Sequence, residues 1–157
     1  MATPEENLTK LGLELPDPAP EESNNTRCVR VGNLLYLSAH APRKGKGTES
    51  VYPGVVGRDV TLAQAQEAAT YAALSLIATL KRVLGDLGKV KKFVSTTGAV
   101  AATPEFSMHT AILNTAADVF IDVFGREVGV SARMPFGSPS LGHNHCLVMS
   151  AIVEVKE

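Results

Sequence analysis

The segment from Thr61 to Gly85 constrains the fold of this chain more than any other. Thr61-Leu62-Ala63-Gln64 is a capping box, in which the Thr61 hydroxyl and the Gln64 side chain satisfy free backbone donors reciprocally, so a helix starts there. Apolar residues at 62, 65, 69, 72, 73, 76, 77, 80 and 84 keep helical spacing, and Gly85 is placed as its stop. The apolar stripe is wide and rich in alanine, which suits tight packing on a sheet.

The remaining segments supply that sheet. Arg27–Val31 and Leu34–His40 flank Gly32-Asn33, a pair that tolerates the positive φ of a tight turn, and so predict a hairpin. The second of these strands is apolar almost throughout and reads as central, covered on both faces. After Pro42 the chain is polar and glycine-rich to Thr48, the pattern of a mobile surface loop. Lys91–Val100 reads as a strand with a partly polar face. Thr103-Pro104-Glu105 then predicts a helix start, with Met108, Ile112, Ala116, Val119, Phe120 and Val123 as its core face and Gly125 beyond. Ser131–Phe136 and His145–Val155 read as a hairpin-like strand pair joined by the broken loop 137–144.

This order of hairpin, helix, strand, helix and strand pair predicts an α+β fold, a mixed sheet with two main helices packed on one face. Leu35, Leu37, Val94, Leu147 and Met149 leave more apolar strand surface than two helices cover, so the other sheet face is expected to self-associate. With 157 residues and 45% hydrophobic content, the chain is sized for one core. Residues 1–24 read as a short helix and a proline-rich connector, and 25–157 as a single domain.

Fifteen basic against 16 acidic residues, with no long Lys/Arg run, give no electrostatic footprint for nucleic acid. Neither a targeting segment nor a membrane-length apolar run is legible, so a cytoplasmic protein is expected. Cys28 and Cys146 lie in strand-like segments as small buried hydrophobes.

Arg133 is the one charge between Glu127 and Glu154, set among small and apolar residues. A guanidinium there is costly unless an anion or carbonyl meets it, so Arg133 is either a ligand anchor or a structural arginine paired with an acid elsewhere. His143, His145 and Cys146 lie close in sequence, and a His-x-His pair on a strand places both rings on one face. No second ligand pair is spaced to complete a metal site, so these read as loop histidines that donate hydrogen bonds, and no metal is expected.

Several motifs together resemble one family: Val31-Gly32-Asn33-Leu34-Leu35-Tyr36-Leu37-Ser38, Gly57-Arg58-Asp59-Val60-Thr61, Gln66-Glu67-Ala68-Ala69, Leu84-Gly85-Asp86-Leu87, Asn114 with Asp118 following, and Ser131-Ala132-Arg133. In this order they resemble the Rid family, also called YjgF/YER057c/UK114 or endoribonuclease L-PSP, and its longer UK114-like subgroup. The resemblance implies a chorismate-mutase-like fold assembled as a homotrimer, its sheets forming a central barrel with clefts between subunits. It also implies cofactor-independent hydrolysis of reactive enamines or imines, such as 2-aminoacrylate, to a 2-keto acid and ammonia. A non-catalytic trimer that binds a small carboxylate is the alternative. Endoribonuclease or translation-inhibitor activity ranks last, since balanced charge and 5% aromatic content offer no stacking groove.

By the same resemblance, Arg133 falls on the arginine that grips the substrate carboxylate, a role suited to its planar fork of donors. Asn114, Ser38 and Ala39 fall at cleft positions. Ser150 stands where the family carries a water-orienting glutamate, Asn25 where it carries a tyrosine, Pro135 where it carries a cysteine, and Ala39 where it carries a glycine. His40, following Ser38-Ala39, is the candidate acid or base in place of that glutamate.

Overall fold

In a computed structural model, which describes residues 1–157, five strands form one sheet in the order β1-β2-β5-β3-β4. The strands are β1 (Cys28–Val31), β2 (Leu34–His40), β3 (Val90–Ala101), β4 (Ala132–Ser138) and β5 (Leu147–Val155). The helices are α1 (Pro4–Leu11), α2 (Leu62–Leu84), α3 (His109–Phe124) and the single turn α4 (Arg126–Gly129). β3 and β4 run parallel and every other pair is antiparallel, giving the mixed sheet of an α+β fold.

α2 has the expected bounds. Its Thr61–Gln64 capping box is formed, and Gly85 takes a φ of 73° at its end. Ala65, Ala68, Ala69, Ala72 and Ala73 are buried, and with no side chain beyond Cβ they let α2 lie close to the strands. The hairpin turn is also as expected, with Gly32 at φ 60°.

α3 starts later than Thr103-Pro104-Glu105 predicts. The Thr103 backbone is committed to Val56, donating to its carbonyl at 3.1 Å, and Phe106 closes a turn on Thr103, so helical hydrogen bonding begins only after Met108. Met108 is therefore 49% exposed rather than part of the core face, while Ile112, Ala116, Val119, Phe120 and Val123 are buried. Phe93 of β3 stacks on Phe120 at 4.4 Å between centroids. Gly98 gives α3 its close seat on β3: a Cβ there would collide with the Leu113 side chain.

The last two strands are not a hairpin. β5 inserts between β2 and β3, whereas β4 lies at the edge, parallel to β3. A parallel partner requires a crossover, and α3 with α4 provides it.

The apolar surplus lies elsewhere than expected. Leu35, Leu37, Leu147 and Met149 all point to the helices and are buried; of the five residues counted as that surplus, only Val94 lies on the free face. The face without helices carries Val29, Val31, Tyr36, Val94, Met134 and Phe136, all exposed in the single chain. β2 is thus covered on one face only, with Tyr36 exposed between buried Leu35 and Leu37.

The N-terminal residues are tied down. Leu8 of α1 joins the core, Asn7 Nδ2 donates to the Val123 carbonyl at 2.9 Å, and Lys81 pairs with Glu5 at 2.7 Å. The proline-rich connector lies along α2, where Arg82 donates to the Ala19 carbonyl and to Glu21. No helix is long and apolar enough to cross a membrane.

Candidate functional site

Arg133 sits on edge strand β4, in register with Thr96 of β3, and its side chain leaves the sheet on the helix side. Two local features set this position. Ser131 and Thr96 share a hydrogen bond of 2.9 Å between hydroxyls, which fixes the start of β4. Gly129 packs against the α3 backbone so closely that a Cβ would stand 2.5 Å from the Phe120 carbonyl oxygen, and this brings the strand beneath the helix.

One Nη of Arg133 donates to Asn114 Oδ1 at 2.6 Å. Its partner is thus a neutral amide and not an acid, and Arg133 makes no ion pair. A guanidinium has five N–H donors, so an edge remains for a planar anion. Thr110, Asn114, Asp118 and Ile121 lie on one stripe of α3 and, with Arg126, Arg133 and Pro135, line a cleft of about 600 Å³. Asp118 is the acid of this cleft, one helical turn beyond Asn114.

The other sequence-predicted residues lie elsewhere in the chain. Ser38, Ala39 and His40 line a second, larger cavity. Ser150 is on the helix-free sheet face, paired with Thr97, which on its other side pairs with Met134 of β4; Ser150 and Arg133 are two strands apart on opposite faces. The structure therefore brings Arg133 and Asn114 together and leaves Ser38, Ala39, His40 and Ser150 apart from them within one chain.

His40 is buried, at 1% exposure, because the β2–β5 register slips between Leu37 and His40. Such a bulge shifts the alternation by one residue and turns the ring from the open face into the layer beneath α2. Its Nδ1 lies 2.6 Å from the Ser38 carbonyl and its Nε2 2.8 Å from Thr79 Oγ1. A carbonyl only accepts, so Nδ1 carries the proton and Nε2 accepts from the Thr79 hydroxyl. Burial holds its pKa down to about 4, so the ring is neutral near pH 7 with both nitrogens engaged.

His143 and His145 do not share a strand. His143 lies inside a short 3₁₀ turn, Gly142–Asn144, with φ 54°, His145 follows that turn, and their ring centroids are 5.8 Å apart. Cys146 is buried in the core, its Sγ 3.8 Å from the Val51 carbonyl, and burial pushes its thiol up to about 11. No three metal-ligating side chains gather anywhere in the structure.

Arg43 is the residue that sequence patterning misplaces. It falls in the segment expected to be a solvated loop, yet it is only 8% exposed, and it lines the cavity that holds His40 and His145. An arginine between Pro42 and Lys44 carries no periodicity from which its burial could be read.

The family described as "YjgF/chorismate mutase-like, putative endoribonuclease" matches residues 5–154. Protein TCP17 of Trypanosoma cruzi is 32% identical over 149 residues, covering 95% of this chain and 92% of its own. The crystal structure of Atu1372 from Agrobacterium tumefaciens, a protein of unknown function, superposes with a TM-score of 0.90 at 35% identity, covering 99% of this chain and 94% of that one. The fold is also that of E. coli TdcF, solved with bound serine, at a TM-score of 0.57 and 15% identity over 91% of this chain and 94% of that one. The chain belongs to the YjgF/chorismate mutase-like family.

Proposed function

We propose that this protein binds a small carboxylate metabolite through Arg133 and hydrolyses the C=N bond of a 2-imino acid, the tautomer of an enamine such as 2-aminoacrylate. The observation that carries this reading is a cleft-lining guanidinium whose hydrogen-bond partner is an amide, Asn114, and which is ion-paired with no carboxylate. Serine bound to TdcF supports it at the level of ligand class, since serine is itself a small carboxylate.

The chemistry asks little of the protein. A protonated imine is already electrophilic, so positioning of the substrate and a water supplies most of what is needed, and no cofactor enters. Water adds to the imine carbon, its proton passes to nitrogen, and the resulting carbinolamine breaks its C–N bond to leave a 2-keto acid and ammonia. Arg133 would hold the carboxylate and fix the carbon in place. Asp118 is the group of the same cleft able to accept a proton from that water. His40 is poorly suited to this work, because both of its ring nitrogens are engaged.

The exposed apolar face built on Tyr36, Met134 and Phe136 supports assembly as a homotrimer, with the sheets packed around an axis. In such an assembly the clefts lie between subunits, and Ser38, Ala39 and Ser150 of a neighbour become the candidates to complete the substrate site.

A second reading, a non-catalytic carboxylate-binding trimer, is favoured by one observation: Ser150 supplies no carboxylate to orient water. An assay that generates 2-aminoacrylate in situ and follows keto-acid release separates the two. Acceleration that Arg133→Ala abolishes supports the enzyme; Arg133-dependent binding of a keto acid without acceleration supports the binding protein.

A further inference from the structure

His143 and His145, close in sequence, have no part in the chemistry so far assigned to Arg133 and Asp118. Both line the larger cavity, of about 1090 Å³, together with Asn25, Ser38 and Ala39. On the trimeric, hydrolytic reading proposed above, on which the present inference rests, this is the wall that a neighbouring subunit presents to the Arg133 cleft. Val148 of β5 belongs to the same wall, and side chains alternate along the strand, so Ser150 leaves β5 on the same face as Val148. The two histidines thus border the position where Ser150 offers no carboxylate.

Backbone geometry holds their turn in place. His143 and Asn144 have φ of 54° and 57°, left-handed values that are uncommon outside glycine. The Gly54 amide donates to the Asn144 carbonyl at 2.8 Å, tying the turn to the loop opposite, and the His145 amide donates to the Gly142 carbonyl at 3.2 Å. Strain of this kind persists where surrounding structure over-determines it, and it gathers at functional sites. Unlike His40, whose ring nitrogens are both engaged, His143 is exposed and makes no hydrogen bond within the chain.

The charged and titratable groups that share the cavity differ in their ability to carry a proton to a substrate. Glu22 is paired with Arg27 at 3.0 Å, and Arg43 is buried and donates to the Gly47 carbonyl at 3.2 Å. Burial first, and then His143 and Arg43, hold the His145 pKa down, so that ring is neutral near pH 7, and its Nδ1 is sealed from the cavity. Glu49 is exposed in the 41–53 segment, and a carboxylate accepts a proton near pH 7 rather than giving one. His143 is the accessible imidazole of the set, and imidazole both gives and takes a proton in this range.

We propose that His143 is the general acid of imine hydrolysis, acting across the subunit interface on the substrate that a neighbour's Arg133 holds. Asp118 and His143 then serve the substrate from opposite walls of one cleft. Asp118 takes a proton from the attacking water, and His143 gives its proton to the amine of the carbinolamine. The C–N bond breaks with its electron pair staying on nitrogen. As the C=O bond forms, the hydroxyl proton returns to His143, and the proton held by Asp118 leaves with the ammonia as ammonium.

The test compares keto-acid release from 2-aminoacrylate generated in situ by full-length wild type and by His143→Asn, since asparagine tolerates a left-handed backbone and carries no titrating ring. Turnover should fall at least tenfold while the Kd for the keto-acid product stays within threefold. The alkaline fall of wild-type turnover, where the acid loses its proton, should be missing from the variant. In His143→Gly, which suits the same backbone, added imidazole should restore part of the rate, an effect that a structural role does not give. Glu49→Gln should stay within twofold of wild type. Mixed trimers of Arg133→Ala and His143→Asn chains, each impaired alone, should regain turnover, because one cleft then draws its two intact residues from different chains. Turnover of His143→Asn within twofold of wild type, loss in Glu49→Gln instead, or verified mixed trimers with no regained turnover overturns the proposal. Wild type without acceleration overturns the hydrolytic reading and this assignment together, whereas acceleration lost in Arg133→Ala but kept in His143→Asn refutes this assignment alone.

Discussion

Arg133 on the edge strand and Asn114 on α3 meet through a single hydrogen bond of 2.6 Å, which spans the seam between sheet and helix. Asn114 thereby selects one orientation of the guanidinium and leaves its other donors unclaimed. Replacing Asn114 by Ala should raise the KM for an imino acid, or the Kd for a keto acid, by threefold to tenfold, the equivalent of about 1 kcal/mol for a lost hydrogen bond. Asn114→Asp should be more damaging, because an ion pair would occupy the fork that the ligand needs; steady-state kinetics of the two variants checks both.

Gly98 lets α3 approach β3, and a Cβ at this position collides with Leu113. Gly98→Ala should destabilise the protein by about 1–3 kcal/mol through overpacking. At roughly 2–4 °C per kcal/mol for a chain of this size, thermal melting should show a clear drop in Tm. Because α3 carries Asn114, carboxylate affinity should fall as well.

His40 makes stability depend on pH. Its folded pKa of about 4 lies below the ordinary histidine value of 6.5, so the unfolded chain takes up the proton first as pH falls. The contribution is fully present above pH 6.5 and is lost progressively between there and about pH 4, by at most about 3 kcal/mol. Denaturant melts across this window should flatten in His40→Gln, which keeps hydrogen-bonding groups but does not titrate.

Met134 and Phe136 project from β4 onto the helix-free face. If that face packs around the axis of a trimer, a charge at either position meets apolar surface from a neighbour. Met134→Glu should convert a trimer into monomers in analytical ultracentrifugation without unfolding them. A wild-type protein that sediments as a monomer at micromolar concentration would contradict the assembly.

Sequence patterning revealed the parts of this molecule that obey simple periods. α2, the Gly32-Asn33 turn and the buried stripe of α3 follow from capping and spacing, and Arg133 stands out as a lone charge in an apolar segment. What stayed hidden depends on register and long-range pairing. Period-2 reading places His40 on the open face with Tyr36 and Ser38, and only the slip between Leu37 and His40 reverses it. Strands β4 and β5 are close in sequence but separated by β3, a topology that no local motif encodes. Arg43 is buried by loops folding over it, which hydropathy cannot anticipate for a residue between Pro42 and Lys44.

The central claim is that Arg133 holds the carboxylate of an imino acid while water adds to its C=N bond. Keto-acid release from 2-aminoacrylate generated in situ, compared between wild type, Arg133→Lys and Arg133→Ala, tests it most directly. Wild type should accelerate the reaction, Arg133→Lys should lose at least tenfold because a point charge cannot form the bidentate pair, and Arg133→Ala should fall to the background rate. Equal rates in wild type and a folded Arg133→Ala would contradict it.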